Sequence, residues 1–190
     1  MSDSVRIEDL GDGVSALVLD SGTAPFTFGS ERLAAFERAL DRLEAKPPLA
    51  VFVRATHPTT FCAGADVDEI ASLKSREEAA TAVRRGQTAF ARLEALPSVV
   101  VALVHGAAMG GGCELALACD ARVGTDATRI GLPETRLGIL PAWGGSTRLP
   151  RLIGLVPALG IIPAGKTLDA YRARKIGLLD AIVPKERMEA

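Results

Sequence analysis

Cysteine and histidine, the residues that most often hold metal ions or form disulfide bonds, are scarce in this 190-residue chain. It has three cysteines and two histidines. Cys62, Cys113 and Cys119 form an odd set without C-x-x-C spacing, and only His57 and His105 could join them around a metal ion. We therefore predict no metal site, and we interpret the cysteines as buried free thiols in a reducing compartment.

The chain also lacks a charge excess and a long apolar segment. Lys and Arg total 22 against 23 Asp and Glu, which gives a net charge of −1 without long runs of either sign. This balance argues against nucleic acid or an anionic membrane surface as a partner. The ~18 uninterrupted apolar residues of a membrane span are absent, as is an apolar stretch behind a basic amino terminus. We predict a soluble protein that is cytoplasmic, or that enters an organelle after processing.

What the chain does contain is a regular alternation of strand and helix patterns. Apolar stretches at 5–7 and 14–19 flank Gly11-Asp12-Gly13, which predicts an opening β-hairpin. A helix is predicted to begin at Ser30, as its N-cap, and to end before Pro47-Pro48. The apolar face of this helix consists of Leu33, Phe36, Leu40 and Leu43.

The same alternation continues beyond Pro48. The apolar runs "LAVFVRA" and "VVVALVHG" predict buried strands on either side of a helix that Ser75 and Glu78 open as a capping box and Pro97 closes. Shorter helix and strand patterns follow up to "GLLDAIV". The prediction is an α/β fold with largely covered sheets, in one domain.

The segment "HGAAMGGGCELALACD" runs from a strand through Gly110-Gly111-Gly112 directly into a helix. Without Cβ atoms, this backbone can approach a ligand closely and direct its N–H groups at an anion. The alternative is that the glycines only permit tight helix packing. Glu114 lies in the first turn of a helix that is otherwise apolar, so burial should perturb its proton affinity, unless it merely complements the helix dipole.

A second small-residue loop follows the "LAVFVRA" strand. It reads "FCAGADVDE", with Ala63, Gly64 and Ala65 before Asp66. One N–H group from each of the two loops would make an oxyanion hole. The alternative is a plain turn from strand to helix, with Asp66 or Asp68 at the helix cap.

A third loop, "GLPETRLGILPAWGG", places Glu134 after Pro133 among apolar residues. A polar surface loop would not have this composition, which favours a functional glutamate. The alternative is a structural turn with a solvated carboxylate.

In this order, "FCAGADVDEI", "HGAAMGGGCELALACDARV" and "IGLPETRLGILPAWGGSTRLPRLIG" resemble the enoyl-CoA hydratase/isomerase family, the crotonase superfamily. The sequences of these motifs most resemble the hydratase portion of multifunctional fatty-acid oxidation proteins. The resemblance implies a crotonase-like spiral of ββα units in a single domain, residues 1–190, from which most of the C-terminal helices of relatives are absent.

The resemblance also implies an acyl-CoA substrate whose thioester carbonyl lies between two backbone N–H groups. By motif position these donors fall on Ala63 and Gly111, and the two family glutamates fall on Glu114 and Glu134. Coenzyme A is part of this substrate, and no metal or redox cofactor is needed. The implied substrate-binding positions are Ala63, Gly64, Ala65, Asp66, Gly110 and Gly111.

The implied reaction is reversible hydration of a trans-2-enoyl-CoA to a 3-hydroxyacyl-CoA, a step of fatty-acid β-oxidation. We expect Glu134 to donate the proton to C2 and Glu114 to orient and activate water, with the exchanged assignment left open. Two alternatives stand beside the hydratase: an enoyl-CoA isomerase, and an inactive acyl-CoA-binding or assembly domain of a larger multifunctional protein.

Of the departures from the family pattern, two concern the acyl pocket and the end of the chain. Ala142 and Trp143 occupy the first half of a stretch that is usually Gly-x-Gly-Gly-Thr, and the indole is expected to restrict acyl-chain length or fill a cavity. The chain stops at Ala190, where relatives continue through further helices. Apolar surface left uncovered there should favour a homo-oligomer, a trimer or hexamer, or a place in a multifunctional complex.

The segment "GIIPAGKT", residues 160–167, matches the consensus pattern of a phosphate-binding P-loop, G-x-x-x-x-G-K-[ST]. It follows an apolar stretch suited to a helix rather than a strand, and Pro163 has no N–H group to offer a phosphate. We therefore predict a turn between two helices and no nucleotide binding.

Overall fold

A computed structural model describes residues 4–189 of the chain. The strands of this part are β1 (Val5–Gly11), β2 (Val14–Leu19), β3 (Thr27–Phe28), β4 (Ala50–Ala55), β5 (Thr60–Cys62), β6 (Gly64–Ala65), β7 (Val99–Val104), β8 (Ala107–Met109), β9 (Ala121–Gly124), β10 (Arg129–Gly131), β11 (Thr167–Asp169) and β12 (Ala181–Ile182). The α-helices are α1 (Ser30–Ala45), α2 (Val67–Ser72), α3 (Arg76–Glu94), α4 (Gly111–Leu117), α5 (Gly145–Ile153), α6 (Leu155–Leu159), α7 (Ala170–Lys175) and α8 (Lys185–Glu189), and a 3₁₀ helix covers Glu134–Leu137. None of these helices is long and apolar enough to cross a membrane.

The strands form a spiral with a repeating ββα turn. A six-stranded sheet has the order β1-β2-β4-β7-β9-β12, and a four-stranded sheet has the order β11-β10-β8-β5. Successive pairs, β4 with β5, β7 with β8 and β9 with β10, each send one strand to the first sheet and one to the second, and helical segments follow each pair. The predicted α/β class and the ββα spiral are therefore confirmed.

The short helix α4 lies at the centre of the molecule. All seven of its residues are buried, and it packs against β5, β6, β8 and α5. This burial agrees with the apolar sequence of the helix, and it places Glu114 in the interior. The three cysteines are free and buried, as predicted, and burial raises the pKa of the Cys62 thiol to about 12.

The two predicted helix starts differ in outcome. The Ser75 hydroxyl accepts a hydrogen bond from the Glu78 amide at 3.1 Å, as predicted, but the Glu78 carboxylate accepts the amide of Lys74 instead of completing the capping box. The prediction that Ser30 caps α1 is wrong. Ser30 is the first residue of that helix, and its amide and hydroxyl both donate to the carboxylate of Glu69 from α2.

Residues 160–167 do not form a phosphate loop. The amides of Gly165 and Lys166 donate to the carbonyls of Ile162 and Ile161, so they are engaged within the turn. The segment follows α6, as expected, but it leads into the strand β11 rather than into a second helix. A P-loop connects a strand to a helix, and this segment runs in the opposite order.

Candidate active site

Three neighbouring strands bring the candidate residues together. In the four-stranded sheet β8 lies between β5 and β10 and is parallel to both, with Cys62 opposite Ala108 and Met109 opposite Gly131. The chain segments that leave these strands therefore meet at one edge of the sheet. This is the usual position of ligand sites in sheets with parallel strands.

The first segment is the bend at Cys62–Asp66. Gly64 has a φ of +105°, and a Cβ on it would lie 2.7 Å from the Met109 carbonyl oxygen, so this position needs glycine. The amide of Ala63 donates to the Phe26 carbonyl at 2.8 Å. This bond contradicts the prediction that the Ala63 N–H group serves an oxyanion hole, because the amide is directed at the residue that precedes β3.

The glycine run 110–112 forms a second bend, and the amide of Ala65 lies next to it. Its nitrogen lies 3.2 Å from the position that a Cβ of Gly111 would occupy, and the Gly111 nitrogen lies 3.2 Å from the position of a Cβ on Gly64. The amides of Ala65 and Gly111 therefore adjoin. Gly111 is the first residue of α4, where N–H groups have no intrahelical acceptor.

The glycine run packs against β5 and lies next to Glu134. A Cβ on Gly112 would lie 2.2 Å from the Cys62 carbonyl oxygen, so Gly112 lets α4 pack closely against β5. Gly110 has a φ of +53°, and a Cβ there would lie 3.2 Å from Oε1 of Glu134. The packing interpretation of the run is therefore confirmed for Gly112, and the ligand interpretation stays a prediction.

Asp66 is the N-cap residue of α2. Its carboxylate caps α2 by accepting the amides of Asp68 and Glu69 at 3.0 and 3.1 Å. This arrangement is the alternative considered for the sequence. Asp66 also lines a cavity beside the bend, so a contact with substrate stays a prediction.

Glu114 is buried and firmly held. The residue is only 3% exposed. Its Oε1 atom accepts hydrogen bonds from the amides of Trp143 and Gly145, each at 2.8 Å. Burial raises the pKa of Glu114, while these amides act in the opposite direction and favour the ionised form. The amides come from the segment 141–145, which leads into α5, and the sequence did not indicate its interaction with Glu114.

Glu134 is buried without such support. The residue is 8% exposed, and neither carboxylate oxygen has a hydrogen-bond partner among the described residues. Burial, together with the charge of Glu114, raises the pKa of Glu134 to about 7. A carboxyl group with this pKa can gain or lose its proton near neutral pH.

A cavity of about 240 Å³ opens beside the adjoining amides and is lined in part by Ala65, Asp66 and Trp143. A larger cavity, of about 680 Å³, lies against the six-stranded sheet at Phe52, Leu103 and neighbouring residues. None of the candidate site residues lines the larger cavity. We therefore assign the site by its glutamates and amides rather than by cavity size.

The spiral, the two adjoining small-residue bends and the two buried glutamates define an α/β protein with a candidate acid–base site. The sequence model described as enoyl-CoA hydratase/isomerase matches residues 10–190. The chain is a member of the enoyl-CoA hydratase/isomerase family.

Known proteins agree with this assignment. Residues of this chain are 47% identical over 165 positions to the fatty acid oxidation complex subunit alpha of Vibrio vulnificus, a match that covers 86% of this chain and 23% of that protein. The corresponding Vibrio campbellii subunit is 45% identical over the same coverage. A crystal structure of enoyl-CoA hydratase from Bacillus anthracis superimposes with a TM-score of 0.92 at 32% identity, over 98% of this chain and 72% of that one. The chain thus spans about a quarter of the length of the fatty acid oxidation subunits.

Proposed function

We propose that the chain is an enoyl-CoA hydratase that adds water reversibly to a trans-2-enoyl-CoA to give a 3-hydroxyacyl-CoA. The observation that carries this proposal is the pair of buried glutamates, one held by amides and one without partners, beside the adjoining amides of Ala65 and Gly111. The family membership and the names of the similar proteins support the same reaction.

The adjoining amides would bind the thioester oxygen. Addition of water to a conjugated thioester moves negative charge onto this oxygen, so two fixed N–H donors stabilise the transition state more than the ground state. Ala65 and Gly111 replace the pair Ala63 and Gly111 in this role, because the Ala63 amide is already bonded to Phe26. Loss of one such donor in other enzymes costs about 2.7–4 kcal/mol.

The two carboxyl groups would handle the two protons of the addition. Ionised Glu114 accepts a proton from water as the water oxygen bonds to C3, and protonated Glu134 gives its proton to C2. After this step Glu114 is protonated and Glu134 is ionised. Transfer of the proton from Glu114 to Glu134, directly or through solvent, restores the starting state. Burial raises the pKa of both carboxyl groups, but the amides at Glu114 oppose this shift, and two carboxyl groups in unlike environments are typical of such acid and base pairs.

The test is hydration of crotonyl-CoA, followed by the loss of absorbance of the conjugated thioester. We expect the chain to show turnover and Glu134→Gln to reduce kcat/KM by about 100- to 10,000-fold, because the amide cannot donate the proton. Glu77→Gln, an exposed change in the first turn of α3, is the matched control and should retain the parent rate. Equal rates for the parent and Glu134→Gln would refute the mechanism, and no turnover would favour the inactive acyl-CoA-binding alternative.

Isomerisation of enoyl-CoA is a second candidate activity, and one observation favours it. Moving a double bond requires the same oxygen-binding amides but only one group that takes and returns a proton. The carboxyl of Glu134, without partners and with a pKa of about 7, suits this exchange near neutral pH.

Self-association is also part of the proposal. Large apolar side chains are exposed in the region 137–159, which covers the end of the 3₁₀ helix, the following loop and helices α5 and α6. They are Leu137, Ile139, Leu140, Leu152, Leu155, Val156 and Leu159. Apolar surface of this kind favours contacts with another protein surface. Sedimentation at micromolar concentration should show an oligomer, and a clean monomer would contradict this part of the proposal.

A further inference from the structure

The cavity of about 240 Å³ has walls suited to hydrocarbon. It begins at Ala65, next to the amides that would hold the thioester oxygen, and its apolar walls include Phe28, Leu33, Ile70, Leu73 and Trp143. Its volume falls below the ~300 Å³ at which typical ligand pockets begin. We name this space the acyl cavity.

The charged groups around the acyl cavity are already paired or are acidic. Glu69 accepts the amide and hydroxyl of Ser30, Asp66 caps α2, and Arg85 forms a bidentate ion pair with Glu37. Carboxylates at the rim would repel the phosphates of coenzyme A. The acyl tail is therefore the part of the substrate that this cavity fits.

Trp143 closes one side of the acyl cavity. Its indole meets Phe28 and Phe90 edge-to-face, with ring centroids 5.9 and 5.5 Å apart, and it lies against the backbone of Gly111. Edge-to-face contacts of this kind fix the orientation of a ring. The main-chain amide of the same residue holds Glu114, so one residue connects the cavity wall to the carboxylate.

Gly86 makes the position of the indole possible. It is a buried residue inside the 19-residue helix α3, and a Cβ on it would lie 2.3 Å from the Cε2 and Nε1 atoms of Trp143. Glycine in a helix interior is destabilising relative to alanine. Because Gly86 has no side chain, the indole of Trp143 can occupy the space next to it.

We propose that the indole of Trp143, seated against Gly86, sets the length of the acyl cavity and makes short-chain enoyl thioesters the preferred substrates. This inference rests on the proposed function, because it concerns the acyl part of the same substrate. A smaller side chain at position 143 lengthens the cavity, and a larger one at position 86 shortens it.

The first test compares kcat/KM for crotonyl-CoA and trans-2-octenoyl-CoA in the parent, Trp143→Phe and Gly86→Ala. We expect the parent to prefer crotonyl-CoA. Trp143→Phe should raise the octenoyl-to-crotonyl ratio by about fourfold for each methylene group newly accommodated, the equivalent of burying one CH₂. Gly86→Ala should lower turnover of both substrates by forcing the indole into the cavity, and adding Trp143→Phe to it should restore turnover of crotonyl-CoA.

Phe36→Leu is the control for a loosened core. Phe36 is fully buried and contacts Phe28 and Phe90, but it does not line the acyl cavity. Its replacement should leave the octenoyl-to-crotonyl ratio unchanged. A ratio that rises equally in Phe36→Leu and Trp143→Phe, or in neither, would overturn the proposal.

A second readout separates this inference from the proposed function. Binding of butyryl-CoA and octanoyl-CoA, saturated thioesters that cannot be hydrated, is measured by calorimetry in the same variants. Without any hydration by the parent, the proposed function fails, yet a shift in the octanoyl-to-butyryl affinity ratio in Trp143→Phe would still support the cavity assignment. An unchanged affinity ratio would overturn the assignment whether or not the chain hydrates crotonyl-CoA.

Discussion

Glu114 and Glu134 lie in the same interior, yet the chain around them provides opposite surroundings. The segment 141–145 directs two amides at Oε1 of Glu114, whereas both oxygens of Glu134 are buried without a hydrogen-bond partner in the described residues. Burial raises both pKa values, but Glu114 is also held by two main-chain amides of a distant segment, which favour its charge. The difference makes Glu114 the candidate base and Glu134, whose pKa lies at about 7, the candidate acid.

The largest effect that tests this comparison is expected from Glu114→Gln. Glutamine keeps an oxygen that can accept the amides of Trp143 and Gly145, so the loop is retained while the negative charge is lost. Hydration of crotonyl-CoA should fall by about 100- to 10,000-fold. Conversion of a trans-3-enoyl-CoA to the conjugated isomer, followed by the gain in absorbance, should persist because Glu134 is intact.

Glu134→Gln is the matched variant for this experiment, and it should lose both reactions. If Glu114→Gln lost hydration and isomerisation to the same degree, the two glutamates would not have separate roles. If it lost isomerisation alone, the assignment of acid and base would be reversed.

The next effect is a dependence of stability on pH. The pKa of Glu134 is raised from 4.5 to about 7 in the folded chain. Its contribution to stability is therefore fully present below pH 4.5 and is lost as the pH rises through 7. Urea unfolding at pH 5 and pH 8 should show Glu134→Gln gaining about 2 kcal/mol relative to the parent at the higher pH. A difference between the two proteins that does not change with pH would contradict the raised pKa.

Much of this arrangement could be predicted from the sequence because it depends on local pattern. Strands β4 and β7, the capping hydroxyl of Ser75 and the interior position of Glu114 follow from apolar runs and turn residues within a few positions. The resemblance identified the two glutamates, and the structure places both beside the glycine bend.

The parts that could not be predicted depend on contacts between distant segments. The choice between the amides of Ala63 and Ala65 follows from the conformation of Gly64 against β8, and the pairing of β5 with β8 shifts register just before it. Glu69 caps α1 from 39 positions away, in place of Ser30. Gly86 showed no signal in the sequence because only the folded chain places it against Trp143.

The smallest effect should come from Gly145→Ala, which disturbs the support of Glu114 without touching Glu134. A Cβ at this position would lie 3.0 Å from Cγ and Oε1 of Glu114, so the carboxylate must move by a few tenths of an ångström. We expect hydration to fall by about tenfold, the rate equivalent of one weakened hydrogen bond to a charged group, while isomerisation through Glu134 stays near the parent rate. Gly160→Ala is the control, since Gly160 has a φ of −77° and its nearest neighbour would lie 3.3 Å from the new Cβ. An equal fall in both reactions would show that the two carboxyl groups share their support, because only a common scaffold could transmit the shift from one to the other.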